Sequence, residues 1–271
     1  MTQPPQRLSF RSDEIAEEAV DRLVEVLDLQ AGLPGIQRLR AWERSALAVR
    51  PGERALDVGS GTGSEVQHLA DLVGPDGDAV GVEPNDWMRT VAEERAAQAS
   101  SRARFVSGLA SDLPFADGAF DIVRCERVFQ HLNEPELAAT EIARVLRPGG
   151  RTVVTDTDWE TAILHPLDRE IAAAVAEMML ANMTNPRSGR RLPGLLTAAG
   201  LTVEDVGSQA LIWPASVVEG PFVQMMMAQS IESGILAEEQ AARLLADLRA
   251  GVARGDFHMS VTMFAVLATK G

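Results

Sequence analysis

The chain has one cysteine, Cys125, in 271 residues. A lone thiol excludes an intrachain disulfide, so the core must hold the fold, and a reducing, cytoplasmic compartment is the simplest fit. Positive charge is scarce: 25 Lys and Arg stand against 39 Asp and Glu, a net charge of −14 at pH 7. That balance argues against a nucleic-acid substrate, because phosphate-binding surfaces are usually basic. No uncharged apolar stretch reaches the length of a membrane span. The opening Met1-Thr2-Gln3-Pro4-Pro5-Gln6 lacks a basic segment followed by an apolar run, so no signal peptide is expected. Internal repeats, low-complexity tracts and domain-splitting linkers are also missing. What remains is 46% apolar residues, enough for one large domain with a real core, or one domain plus an insertion.

Residues 1–11 are rich in Pro and Gln and are expected to be loose. Ser12 can cap a helix, with Asp13 and Glu14 in its first turn and Ile15, Ala19, Leu23 and Val26 or Leu27 at helical spacing. A break at 32–35 precedes a second helix over about 36–48, stopped by Arg50-Pro51-Gly52. From residue 54, short apolar runs at 54–58, 79–83, 104–107, 120–125 and 151–156 alternate with helical stretches at 64–73, 86–98 and 135–146. This rhythm predicts an α/β fold with a parallel sheet covered by helices on both faces. Pro148-Gly149-Gly150 reads as a turn before the fifth strand. The rhythm then breaks. Helices are predicted over 166–184 and 190–199, and strands over 202–213 and 257–269. The mostly helical segment 215–254 lies between those strands, suggesting an edge hairpin with a helical insertion.

The densest motif is Leu56-Asp57-Val58-Gly59-Ser60-Gly61-Thr62-Gly63. Alternating glycines after a strand let the backbone turn sharply and a ligand lie against it. Asp57 is expected to fix that turn through loop amides. The dinucleotide fingerprint G-x-G-x-x-G would need a third glycine at position 64, which is Ser64. Val80-Gly81-Val82-Glu83-Pro84 then places an acid at the tip of the second strand, where a carboxylate can take both hydroxyls of a ribose. Met88 follows one helical turn on, either covering an adenine edge or sitting in the core. After the third strand, Asp112 of Ser111-Asp112-Leu113-Pro114-Phe115 can accept from an exocyclic amine, and Leu113 can pack on a ring.

The ordered set D-x-G-x-G-x-G, Glu83, Asp112-Leu113-Pro114-Phe115, Phe120-Asp121 and Leu146-Arg147-Pro148-Gly149-Gly150 resembles class I S-adenosylmethionine-dependent methyltransferases of the ubiquinone/menaquinone type. The resemblance covers about 36–156. It implies a Rossmann-like seven-stranded sheet of order 3-2-1-4-5-7-6, with strand 7 antiparallel and S-adenosyl-L-methionine as cofactor. It carries Gly59, Gly61, Glu83, Pro84, Met88, Asp112 and Leu113 over as binding residues, with the backbone at Cys125 near the methionine portion. An arginine of the helix before strand 1 would anchor the methionine carboxylate; Arg38 is preferred over Arg40. The implied organisation is an N-terminal helical segment, 1–35, and a methyltransferase domain, 36–271, with helical lids at about 159–187 and 214–256.

On the acceptor side, His131 is the candidate general base, with a loop-bracing role as its alternative. Asp156 or Asp158 can orient an amine or hydroxyl, and Trp159 can line a pocket. No third ligand clusters with these acids, so no metal is expected. Met178, Met179, Met183, Met225, Met226 and Met227 read as core or as a lid over an apolar acceptor. Arg187, Arg190 and Arg191 are either solvated or aimed at an acidic acceptor group. The expected function is methyl transfer to a small-molecule acceptor in secondary or cofactor metabolism, with no nucleic acid and no membrane; a homodimer is left open. The alternative keeps the cofactor but catalyses a non-methylating reaction such as a cyclisation.

Overall fold

The computed structural model describes residues 17–181 and 183–271. The expected loose segment 1–11 and the Ser12 cap lie outside them. Two helices open the described chain, α1 (Glu17–Ala31) and α2 (Pro34–Leu47). Then β1 (Arg54–Val58), α3 (Ser64–Val73), β2 (Asp78–Val82), α4 (Asp86–Gln98), β3 (Arg104–Val106), β4 (Phe120–Glu126), α5 (Pro135–Val145) and β5 (Leu146–His165) alternate as the apolar periodicity predicts. The chain ends with α6 (Arg169–Ala181), α7 (Ser188–Ala198), β6 (Thr202–Ile212), α8 (Pro221–Glu232), α9 (Glu238–Arg254) and β7 (His258–Thr269).

The seven strands form one sheet in the order β3-β2-β1-β4-β5-β7-β6. β1 to β5 run parallel, and β7 runs antiparallel between β5 and β6. This is the expected topology. Its cause is visible in the central strands, where both faces are buried. Leu56, Val58, Val123 and Cys125 pack with Ala138, Ile142, Leu192 and Leu196 of α5 and α7. Ala55, Ile122 and Val153 pack with Ile36, Leu39, Val66 and Leu69 of α2 and α3. A parallel sheet sandwiched in this way presents its ligand site outside the carboxyl ends of its strands.

β5 departs from the expectation. The sequence pattern ends it at residue 156 and places a helical lid from about 159. Instead the strand continues to His165, pairing Ile163 with Ser260 and Leu164 with Met259 after an irregularity between Asp158 and Ile163. Its partner strand lies far along the chain, so local periodicity does not reveal it. The result is a two-stranded arm projecting past the sheet, on which α6 packs. Among the described residues, no helix is long and apolar enough to cross a membrane.

Candidate active site

The glycine loop leaves β1 with Gly59 at φ +72° and Gly61 at φ +51°, backbone that favours glycine. The amides of Gly59 and Ser60 both donate to the carbonyl of Val82, at 2.8 and 3.0 Å, which ties the loop to the tip of β2. A Cβ on Gly59 would sit 2.3 Å from Val128 Cγ2, so this glycine admits the loop that follows β4. A Cβ on Gly61 would meet only Leu27 Cδ1, at 3.8 Å. Gly61 therefore faces a groove roofed by α1. That helix is held down by Asp28, which takes two hydrogen bonds from Arg95 of α4 at 2.8 and 2.7 Å, and by Gln30, which accepts from Arg127.

Glu83 stands beside the loop. One carboxylate oxygen accepts from the Gly61 amide and the other from the Asn85 amide, both at 3.0 Å. Burial pushes its carboxyl upward against these two bonds and against Arg89. Asn85, which sequence reasoning passed over, caps α4 by accepting from the Met88 amide at 3.0 Å. Pro84 links the two. The Met88 side chain is buried, as in the core reading. Beside it Trp87 is 44% exposed.

The turn after β3 corrects one assignment. Leu113 is buried in the core, so its side chain presents no face to a ring. α5 decides this: Glu141 accepts from the Leu113 amide at 2.8 Å, while Arg144 donates to the carbonyls of Leu113 and Phe115 at 3.0 and 2.7 Å. Asp112 is exposed, and its amide donates to the Leu109 carbonyl at 3.1 Å. The apolar surface at the end of β3 is instead Leu109, 52% exposed. A leucine directly after Gly108 was the available signal.

The tip of β4 is strongly charged. Strand alternation turns Cys125 into the core and Arg124 and Glu126 to the opposite face. The Cys125 thiol is pushed well up, by burial first and then by Asp156 and Asp57, so only its backbone is available to a ligand. Arg124 donates to Glu43 at 3.0 Å, to Asp57 at 3.2 Å and to Glu126. Arg40 grips Glu126 with two bonds, 2.9 and 3.2 Å, and Glu65 with a third at 3.1 Å. Arg44 adds a bond to Glu65 at 2.9 Å, and Thr155 donates to Glu43. Burial opposes the charge on Glu126, but Arg124, Arg40 and Arg127 outweigh it and hold that carboxyl well below the usual range. Asp57 is pushed up to about 7, chiefly by burial. Its side chain bonds Arg124 rather than the loop amides, because it projects from the strand onto the charged face.

Arg38, the preferred anchor, is corrected by the same helix. Two residues along α2 is more than half a turn, so Arg38 and Arg40 occupy opposite faces. Arg38 is exposed and its Nε donates to Gln209 of β6, at 3.3 Å, on the far edge of the sheet. Arg40 is the one turned toward the tips of β1 and β4.

On the acceptor side, Asp156 takes the amides of Gln130 and Thr157, at 2.9 and 2.7 Å, and burial pushes it to about 7. Asp158 is fully buried against Arg190. Both acids are spent on structure and neither presents itself to an acceptor. The basic cluster is equally engaged: Arg187 with Glu160, Arg190 with Asp158 and Glu160, Arg191 with Glu136. Trp159 Nε1 donates to Gln130 Oε1 at 2.8 Å, and Asn185 Nδ2 to the Phe129 carbonyl at 3.0 Å, locking the loop after β4. His131 lies in that loop. Burial, then the charge of Arg127, lowers its pKa to about 4, so its ring is neutral at pH 7. No group of three potential metal ligands occurs among the described residues. Met178 and Met226 are core, while Met179 and Met226 line a cleft under the arm.

A seven-stranded sheet of this order, a glycine loop at β1 and an acid at the tip of β2 define a Rossmann-like methyltransferase fold. A family model described as "Methyltransferase domain" matches residues 56–154. An uncharacterized 37.1 kDa protein in transposon Tn4556 of Streptomyces fradiae is 32% identical over 97% of this chain and 74% of its own length. The ubiquinone/menaquinone biosynthesis C-methyltransferase UbiE of Ectopseudomonas mendocina is 36% identical, over 45% of this chain and 49% of that enzyme. The chain thus spans about half the length of that relative. Phosphoethanolamine N-methyltransferase 2 of Haemonchus contortus, solved with S-adenosylhomocysteine, superposes with a TM-score of 0.60 at 18% identity, covering 97% of this chain and 61% of that one. The chain belongs to the class I S-adenosylmethionine-dependent methyltransferases, with S-adenosyl-L-methionine as the cofactor. The residues present fit that group: the Gly61 side of the loop is open, Glu83 lies beside it, and Arg127 Nε is buried with no hydrogen-bond partner.

Proposed function

We propose that the chain moves the sulfonium methyl of S-adenosylmethionine to a small, largely apolar acceptor in a reducing, cytoplasmic setting. The carrying observation is an apolar cleft, open to solvent and lined by Trp159, Leu164, Met179, Trp213, Met226 and Met259. No charged side chain lines it. Its Trp159 wall is hydrogen-bonded to Gln130, whose Nε2 donates to the Arg127 carbonyl at 3.3 Å, which ties the cleft to the β4 loop. The segments 159–187 and 214–256 serve as its walls and lid. Methionine-rich linings adapt to irregular apolar ligands. The net charge of −14 and the relative named for ubiquinone and menaquinone biosynthesis support a small molecule over nucleic acid.

The bound cofactor supplies an activated methyl; the protein's task is alignment and exclusion of water. Effects of that kind contribute roughly 7–11 kcal/mol. Glu83 takes the ribose hydroxyls, the Gly59–Gly61 backbone takes the adjoining chain, and Leu109 with Asp112 flanks the adenine. α1 covers the groove. His131, neutral at pH 7, accepts the acceptor's proton where the nucleophile must lose one.

Calorimetry of the pure chain with S-adenosylhomocysteine, followed by tritiated-methyl transfer to panels of hydrophobic phenols, hydroquinones and amines, tests the reading. Label is expected in an organic-soluble product that gains one CH₂. No binding of S-adenosylhomocysteine, or label in DNA or protein, overturns it; an unlabelled product points to the cyclase alternative. For His131 the pH profile is diagnostic. A base works only when unprotonated, and this ring stays unprotonated down to about pH 4. The acidic limb of kcat/KM is therefore expected near pH 4, and it should change in His131→Asn. A limb at the ordinary histidine pKa, abolished by that substitution, contradicts the buried neutral ring.

A further inference from the structure

We propose that Arg127, at the tip of β4, binds the carboxylate of the cofactor's methionine half. This rests on the cofactor assignment above and adds a residue to it. Lateral order is the first ground. β1 lies between β2 and β4, and neighbouring strands are about 4.8 Å apart, so the tips of β2 and β4 are separated by roughly 10 Å. A ligand whose ribose rests on Glu83 and whose chain crosses the glycine loop brings its amino-acid end to β4. The residues there are Cys125, Glu126 and Arg127.

Availability is the second ground. Arg40 has both edges of its guanidinium filled, by Glu126 and by Glu65. Arg124 is shared among Glu43, Asp57 and Glu126. Arg127 has only a 3.4 Å approach to Glu126, which is already divided between the other two arginines, and a bond to the neutral amide of Gln30. Its Nε is buried without a hydrogen bond. Of the three arginines around Glu126, its charge is the least compensated, and a buried guanidinium in that state favours a carboxylate.

Backbone conformation is the third. Arg127 is a non-glycine residue at φ +58°, held there by the hydrogen bond its amide donates to the Thr155 carbonyl at 2.8 Å. Strained backbone of this kind persists where the surroundings enforce a side-chain position. Gln30 comes from α1, the same helix that places Leu27 over Gly61. Its amide oxygen occupies Arg127 in the place a carboxylate oxygen would take.

The test compares two ligands on the 271-residue chain by calorimetry. S-adenosylhomocysteine carries the amino-acid carboxylate; 5′-methylthioadenosine carries the same nucleoside without it. Arg127→Ala is expected to weaken S-adenosylhomocysteine ten- to hundredfold and to leave 5′-methylthioadenosine within about twofold, the second ligand also reporting that the variant is folded. Arg38→Ala is expected to change neither. Equal loss for both ligands, no loss for either, or a selective loss in Arg38→Ala overturns the proposal. Wild-type protein that binds neither ligand instead overturns the cofactor reading on which it rests.

Discussion

Arg124→Leu is expected to lower the unfolding free energy by about 3–5 kcal/mol, the range for removing one partner of a buried ion pair. Arg124 is 4% exposed in the middle of a central strand. It is the donor that Glu43, Asp57 and Glu126 have in common. Burial works against its own charge, yet these carboxylates hold its pKa well above the usual value. Leucine fills much of the volume but leaves three acids facing one another in low dielectric. The pH dependence has a definite sign. Glu43 and Asp57 are already pushed up by burial against the pull of Arg124, so without the guanidinium their folded-state pKa values stand further above their unfolded ones. Their contribution to stability is then full below the unfolded pKa and is lost as pH rises. The deficit of the variant relative to wild type should therefore shrink at pH 5 and grow toward pH 7.5, as read from urea denaturation midpoints. Arg104→Ala, which breaks an exposed pair with Asp78, is the contrast, at less than about 1 kcal/mol. A deficit below that level for Arg124→Leu at pH 7.5 would show that the network is screened by water.

The strand tips were legible because their chemistry is local. Gly59 and Gly61 need left-handed backbone whatever surrounds them, and Glu83 is one residue past β2, so spacing alone brings them together. Side-chain direction was not legible, because distant segments decide it. Arg38 and Arg40 are interchangeable by position. Only the packing of α2 against the sheet turns Arg40 inward and leaves Arg38 on Gln209. Leu113 looked available because it precedes a proline turn, but Glu141 and Arg144 of α5 fold that turn so that it points into the core. The acids Asp156 and Asp158 looked free because their partners, the Gln130 amide and Arg190, are each more than a turn of sequence away.

The charged face of β4 is also written in the sequence. Asp121-Ile122-Val123-Arg124-Cys125-Glu126-Arg127 carries charges at 124 and 126, two positions on one face of a strand that lies in the middle of the sheet. Charges are buried only when paired, so this run demands compensating partners on one face. Glu43 of α2 and Glu65 of α3 are those partners, and Arg40 and Arg44 complete the set. The helix before β1 is thus fastened to the sheet by the same residues that form the floor under the glycine loop. Loss of a charge there is felt in stability and in the shape of the cofactor groove together.

Glu83→Ala is expected to weaken cofactor binding by about 1–3 kcal/mol, the loss for a hydrogen-bond acceptor that is charged. Each carboxylate oxygen already takes one backbone amide, from Gly61 and from Asn85. A second lone pair on each oxygen remains, enough for the two hydroxyls of a ribose. Glu83→Gln should be no milder, because its NH₂ must face either a backbone N–H or a hydroxyl donor. Burial raises the Glu83 pKa, and the charged form is the one that accepts, so affinity is expected to fall as pH drops through that value; the limb should vanish in Glu83→Ala. Since S-adenosylhomocysteine and 5′-methylthioadenosine share the ribose, both must weaken equally in this variant, the opposite of the pattern expected for Arg127→Ala. A selective loss for S-adenosylhomocysteine would move Glu83 from the ribose to the amino-acid end and reverse the direction in which the cofactor lies across β2, β1 and β4.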